Sequence, residues 1–238
     1  MRKLLLASML AAAVPAAAQE SKYASPRWGD FELSAGSYRP NIDSEFGGSG
    51  PFSTVFGNGR GVMFRADVAY SLFVNYGSLD VGVGAGYTQR TGKGQLPTGG
   101  ASSDDTSLKI IPARISLTYR FDVFALQYRW MPLAPYARVS FDRYWWWVTN
   151  GSGDVAKSGG LSGSGATNGY SFSAGVAILL DSIDPALARD MDRDSGINHT
   201  YIFVDFTKSY IKDFGSSTSW DLSNDKTVQI SGGLLFQF

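Results

Sequence analysis

The 238-residue sequence has no cysteine and a single histidine, His199. It therefore forms no disulfide and offers no cysteine for a lipid anchor. Beyond its first residues no stretch approaches 18 uninterrupted apolar residues, so no membrane-spanning helix is expected. Charge of one sign is also missing: 21 basic residues face 21 acidic ones, with no basic run. That balance gives no electrostatic footprint for nucleic acid. No cofactor motif is present, and no cofactor is expected.

What the sequence does have begins at its N-terminus. Arg2 and Lys3 form a positive region, Leu4 to Ala13 an apolar one, and Pro15 breaks it before Ala16-Ala17-Ala18. This is the pattern of a secretion signal, with cleavage expected after Ala18. Residues 1–18 are thus predicted as a signal peptide and 19–238 as one β-barrel domain. Without Arg2 and Lys3 the balance is 19 basic to 21 acidic residues, or −2.

The rest of the chain alternates with period 2 between clusters of Gly, Ser, Asn and Asp, which predicts strands. Eight are expected, near 28–38, 61–73, 79–90, 107–120, 134–148, 168–180, 199–210 and 228–238. In the second, Val62, Phe64, Ala66, Val68 and Tyr70 oppose Met63, Arg65 and Asp67. In the last, Val228, Ile230, Gly232, Leu234, Phe236 and Phe238 oppose Gln229, Ser231, Gly233, Leu235 and Gln237. Each segment holds about 10 to 14 residues, enough for a tilted bilayer crossing of about 9–11. An even count and long connections at one end (39–60, 91–106, 149–167, 211–225) fit a membrane barrel. Asn75 to Ser78 predicts a tight turn at the other end. There, 121–133 and 181–198 are longer, the latter holding a short helix with Asp184 as cap and Pro185 in its first turn. The fold class expected is all-β: an eight-stranded antiparallel up-and-down transmembrane β-barrel, apolar faces outward. Aromatic girdles are expected from Tyr144-Trp145-Trp146-Trp147 at one rim and Trp28, Trp130 and Phe238 at the other.

The polar faces carry Arg65, Asp67, Asp80, Arg114, Arg138, Asp142 and Asp205. Buried charges must be paired, so these predict a salt-bridge network filling the lumen. An eight-stranded interior is just wide enough for side chains. Asp190, Asp192 and Asp194 have the 1-3-5 spacing of a calcium loop, but Gly196 falls one place late and position 12 is Tyr201, not Glu. A solvated acidic turn is the expectation, with calcium as the weaker alternative. His199 raises the possibility of a lipid-modifying enzyme, but no serine stands two residues on; a structural hydrogen-bonding role is expected and no catalysis.

A closing strand that ends on Phe238 behind a secretion signal resembles the C-terminal assembly signal of bacterial outer-membrane barrels, carried here by Ile230, Leu234, Phe236 and Phe238. Other phrases resemble an uncharacterised, myxobacterial-type family of outer-membrane β-barrel proteins. They are Gly36 to Asp43, Tyr119 to Asp122, Pro132 to Tyr136, Leu179 to Asp194 and Gly196 to Tyr201. The resemblance implies the outer membrane of a Gram-negative bacterium and brings no activity with it. The partners expected are outer-membrane lipid, the barrel-assembly machinery in transit and an extracellular partner at the long loops. The alternatives are a lipid-modifying enzyme, a narrow passive channel, and a secreted soluble barrel holding a small apolar ligand.

Overall fold

A computed structural model describes residues 25–47, 50–95, 100–158, 160–216, 219–224 and 226–238. The expected signal peptide lies outside them. Eight long strands form the body: β1 (Gly29–Tyr38), β2 (Gly61–Phe73), β3 (Ser78–Gln95), β4 (Ala101–Arg120), β5 (Leu133–Thr149), β6 (Ser164–Leu179), β7 (His199–Ile211) and β8 (Gln229–Gln237). Each pairs antiparallel with its chain neighbours, and β1 pairs with β8, so the sheet is a closed up-and-down barrel. Closure leaves no strand edge unpaired. The seam runs from Asp30↔Gln237 to Gly36↔Ser231. Below it the Trp28 N–H donates to the Phe238 carbonyl at 2.5 Å and the Phe238 N–H to Gly29 at 2.8 Å.

The alternation is inverted relative to a soluble barrel. Phe64 and Ile115, 61% and 59% exposed, point out; their strand neighbours Met63 and Arg114 are 1% and 7% exposed and point in. A one-residue slip would exchange the two faces of every strand, so the pattern sets the register firmly. The apolar faces point away from the interior, whereas a soluble barrel with an apolar ligand core needs them to line it.

The connections differ from expectation at the long-loop end. The expected loop 91–106 is mostly strand, because β3 runs to Gln95 and β4 starts at Ala101. Polar cross-strand pairs sustain this extension without an apolar face: Thr91 bonds Ser107 at 2.9 Å and Lys93 bridges Asp105 at 2.8 Å. The 149–167 connection contains a two-stranded ribbon, Lys157–Ser158 with Leu161–Ser162, and β6 begins four residues early. Residues 39–60 fold into a 3-10 turn, Ile42–Phe46, and a short helix α1, Pro51–Phe56, whose Phe52 and Ser53 N–H groups donate to the Asp43 carboxylate.

At the opposite end lie the β2–β3 turn, the helix α2 (Val123–Gln127) and the helix α3 (Pro185–Ser195). Gly77 in the turn has φ +104°, and a Cβ there would sit 2.4 Å from the Arg120 carbonyl, so no side chain fits. Helix α3 starts as expected: Asp184 accepts from the Ala186 and Leu187 N–H groups, and Pro185 needs no partner.

The aromatic run needs correction. Tyr144-Trp145-Trp146-Trp147 is not a girdle throughout, because strand period 2 sends alternate rings inward. Tyr144 is fully buried, and Trp146 stacks on Trp220 with centroids 4.0 Å apart. Only the Trp145 ring stands clearly on the outer wall.

Candidate functional site in the barrel interior

The interior is stacked in three layers. At the long-loop end, Tyr38, Ile42, Phe52, Met63, Leu108, Ile110, Tyr144, Ile211 and Leu222 form an apolar cluster. At the other end Ala125, Ala134, Tyr136, Ala177, Leu179, Tyr201, Phe203 and Leu235 form a second. Charged and hydroxyl side chains occupy the band between and part of the lower layer.

The seven charged residues expected inside are all buried. The structure pairs only two of them with each other: Arg114 Nε and Nη2 reach Asp67 Oδ1 and Oδ2 at 2.7 and 2.8 Å. That two-pronged geometry is the strongest an arginine makes with a carboxylate. The others use different partners. Arg138 Nη2 donates to both Glu32 oxygens at 2.6 and 2.7 Å, and its Nε to the Thr118 hydroxyl. Arg120 lies between Asp30 and Asp80, 3.0 Å from the latter, and beside the Ser78 hydroxyl. Asp80 also accepts from Ser71 at 2.7 Å. Arg65 donates to the Tyr144 hydroxyl at 3.0 Å, and Asp142 accepts from Ser171 at 2.7 Å. Asp205 makes no ion pair among the described residues, and its Oδ1 is buried without a hydrogen-bond partner.

Asp30, Glu32, Arg120 and Tyr144 were missed as members of this band. The first three lay on polar faces of the correct phase, so the signal was present in the alternation. Tyr144 was hidden by its membership of the aromatic run. Loop residues Ile42, Phe52 and Leu222 belong to no periodic segment and carried no signal of burial.

Three strand-end features close the lower end. Arg27 bridges Asp122 at 3.1 Å, both almost fully buried. Burial pushes the Asp122 carboxyl above its ordinary value even with Arg27 and Arg120 beside it. Ser25 bonds Asn198 at 3.0 Å and also Asp192, tying the chain before β1 to the end of α3. His199 Nδ1 lies 2.7 Å from Asp181 Oδ2, while Asp181 Oδ1 accepts from the Thr200 N–H at 3.1 Å. His199 thus anchors the start of β7 to the turn after β6.

The calcium candidate is not a loop. Asp190, Asp192 and Asp194 lie on helix α3, where successive steps of two residues turn carboxylates to different sides. Asp190 and Asp194 pair with Arg193, and Asp192 with Ser25. Among the described residues no three His, Asp or Glu side chains are grouped to hold a metal.

Of the expected assembly signal, Ile230 and Leu234 point out from β8, and Phe236 and Phe238 are half-buried at its end. The Phe238 ring lies 5.9 Å from Trp28.

No protein-family model matches the chain, and no curated protein sequence matches it. Among solved structures it is similar to Neisserial surface protein A, at 16% identity over 91% of this chain and 100% of that one, with a TM-score of 0.45. It is also similar to Ail, the attachment invasion locus protein of Yersinia pestis, solved with the heparin analogue sucrose octasulfate: 10% identity over 89% and 97% of the two chains, TM-score 0.44. The N-terminal β-barrel domain of Pseudomonas aeruginosa OprF matches at 11% identity over 90% and 100%, TM-score 0.38. At these scores the likenesses carry no argument, and the eight-stranded closed barrel stands on this chain's own strand pairing.

Proposed function

We propose that the chain is an integral outer-membrane β-barrel of a Gram-negative bacterium, with a side-chain-filled lumen and a structural or surface-interaction role rather than a catalytic one. The observation that carries this is the inversion of faces: apolar side chains out, charged side chains in. A wall of this kind is stable where its surroundings are hydrocarbon. The three-layer interior supports a closed lumen. Tyr144, Ile211 and Leu222 at one end and Tyr201 and Ala177 at the other are all fully buried. The ion pairs between them cross from strand to strand and fill the space between the walls.

The end bearing 39–60, 150–163 and 212–228 faces outward in this reading, and these connections form the surface open to an extracellular partner. Lipid surrounds the wall, and Ile230, Leu234, Phe236 and Phe238 present the strand that the assembly machinery engages. Many of the phrases that resemble the myxobacterial-type barrels border the opposite end, which fits a constraint on folding and assembly. His199 acts as a hydrogen-bonded anchor through Asp181.

The test is fractionation followed by gel mobility of unheated against heated protein in detergent. Outer-membrane protein with a heat-dependent shift is the expected result. A chain that stays soluble without detergent and shows no shift would sink the reading.

A further inference from the structure

We propose that the outer wall of β5–β7, just below the long-loop end, holds the phosphate of an outer-leaflet lipid, with Arg143 as its centre; this rests on the membrane reading above. Asp142 and Tyr144 point inward, so Arg143 points out, on a face that is otherwise apolar or aromatic. On the outward faces of β1, β2 and β8 no side chain carries a charge. On those of β4–β7, below the paired Lys93 and Asp105 of the β3–β4 extension, three do: Lys109, Arg143 and Lys208. All are cations. A wall that carries only positive charge at the edge of the hydrocarbon is complementary to anionic head groups there.

Arg143 is also placed for the task. Its guanidinium lies 5.7 Å from the Trp145 ring, and Nη1 donates to Asn168 Oδ1 at 3.2 Å. A guanidinium has five N–H donors, so most of the fork remains for a phosphate. The nearby carboxylate of Asp213 is already engaged. It accepts from the Asn168 N–H and side-chain amide and from the Ser219 hydroxyl; it lies outside ion-pair distance of Arg143 but feels its charge, which helps hold the carboxyl down. Two residues from Arg143 on the same face, Phe141 is in register with Tyr170 and stacks on the Phe214 ring at 6.0 Å; Tyr170 in turn pairs with Tyr210, centroids 5.3 Å apart. Aromatic rings of this kind sit at the head-group level. Phe214 is 66% exposed. It reaches the wall from a backbone held at φ 58°, next to Asp213 at φ 43°, by the Asn168 contacts. Two adjacent non-glycine residues in the left-handed region are a strained arrangement, and here they bring a ring to the rim beside the cation.

The experiment uses the refolded full mature chain in phosphatidylcholine nanodiscs containing either diphosphorylated lipid A or the same lipid after enzymatic dephosphorylation. Lipid retained per barrel is counted by native mass spectrometry. The phosphorylated form should be kept in preference. Arg143→Gln should lower that retention by about tenfold, as expected for one lost charge-assisted contact. Excess inorganic phosphate should not displace the lipid. Equal retention of the two lipids by the wild-type protein, full retention by Arg143→Gln, or displacement by inorganic phosphate would each overturn the site. The wild-type comparison does not depend on the variant's folding. A heat-modifiable, inserted barrel that fails to discriminate sinks the lipid site alone. Protein that never inserts sinks the membrane reading and the site with it.

Discussion

Glu32 and Arg138 show how a charge is kept inside this barrel. Both are buried, and Arg138 Nη2 donates to both Glu32 oxygens in two short hydrogen bonds. Removing one partner leaves a desolvated ion, at a cost of about 3–5 kcal/mol, whereas replacing both with apolar residues of similar size is often close to neutral. Glu32→Ala should therefore destabilise the barrel by about that amount. The double variant E32L/R138M should recover most of it. Urea unfolding of barrels refolded into vesicles measures both; a double variant no more stable than Glu32→Ala would show that the pair itself holds the walls together. At this scale the sequence was legible in part. Period 2 places Glu32, Asp67, Arg114 and Arg138 on inner faces. It does not say that Arg114 meets Asp67 while Arg138 meets Glu32, because those pairs join strands 47 and 106 residues apart in the chain.

The loop after β7 is the element with the clearest pH dependence. Burial acts to raise the Asp213 carboxyl, but hydrogen bonds from Ser219 and Asn168, with the Arg143 charge, outweigh it and hold the group below its ordinary value. A carboxyl depressed in the folded state contributes stability above its unfolded pKa, about 3.9, and that contribution is lost as pH falls through the lower folded value. Ser219 adjoins Trp220, which stacks on Trp146 with the rings 10° from parallel. The near-ultraviolet circular dichroism of this ring pair should persist from neutral pH down to the ordinary carboxylate range and fade below it. Asp213→Asn should remove that dependence; a signal with the same acid midpoint in this variant would assign the transition to another group. Elements differ sharply in how far they can be read in advance. The start of helix α3 was legible because its cap and its proline are local signals; its second half, expected as an acidic turn at Asp190 to Asp194, was not. The β3–β4 extension was not, because Thr91, Lys93, Asp105 and Ser107 show no apolar alternation and become strand only when their polar cross-strand partners arrive.

For the whole molecule, the two apolar layers decide what crosses it. The filled lumen proposed above implies no continuous aqueous path through an eight-stranded barrel. Planar bilayers containing the purified protein should show no sustained conductance; steady single-channel currents would mean that the ion-pair band opens. The seam joins β1 to β8, the first and last strands of the wall, and its lower end is bounded by the Trp28 and Phe238 backbone bonds. Deleting Phe238 removes those bonds and the ring against Trp28. Insertion of the truncated chain into the outer membrane should fall severalfold, read as the heat-modifiable fraction recovered there. Normal insertion would show that the earlier residues of β8 suffice.

The alternation of apolar and polar residues determined by itself the number of strands, their phase and which side chains share a face. These follow from a backbone that turns successive side chains to opposite sides, and neighbouring residues are enough to express it. Tertiary structure alone decided that Tyr144 and Trp146 enter the mouth, that Ile42, Phe52 and Leu222 fold in from connections to cover it, and that Arg143 meets Asn168 on the outer wall beside the Phe214 ring. Each of these depends on closure of the sheet, which brings together residues far apart in the chain that carry no local record of one another.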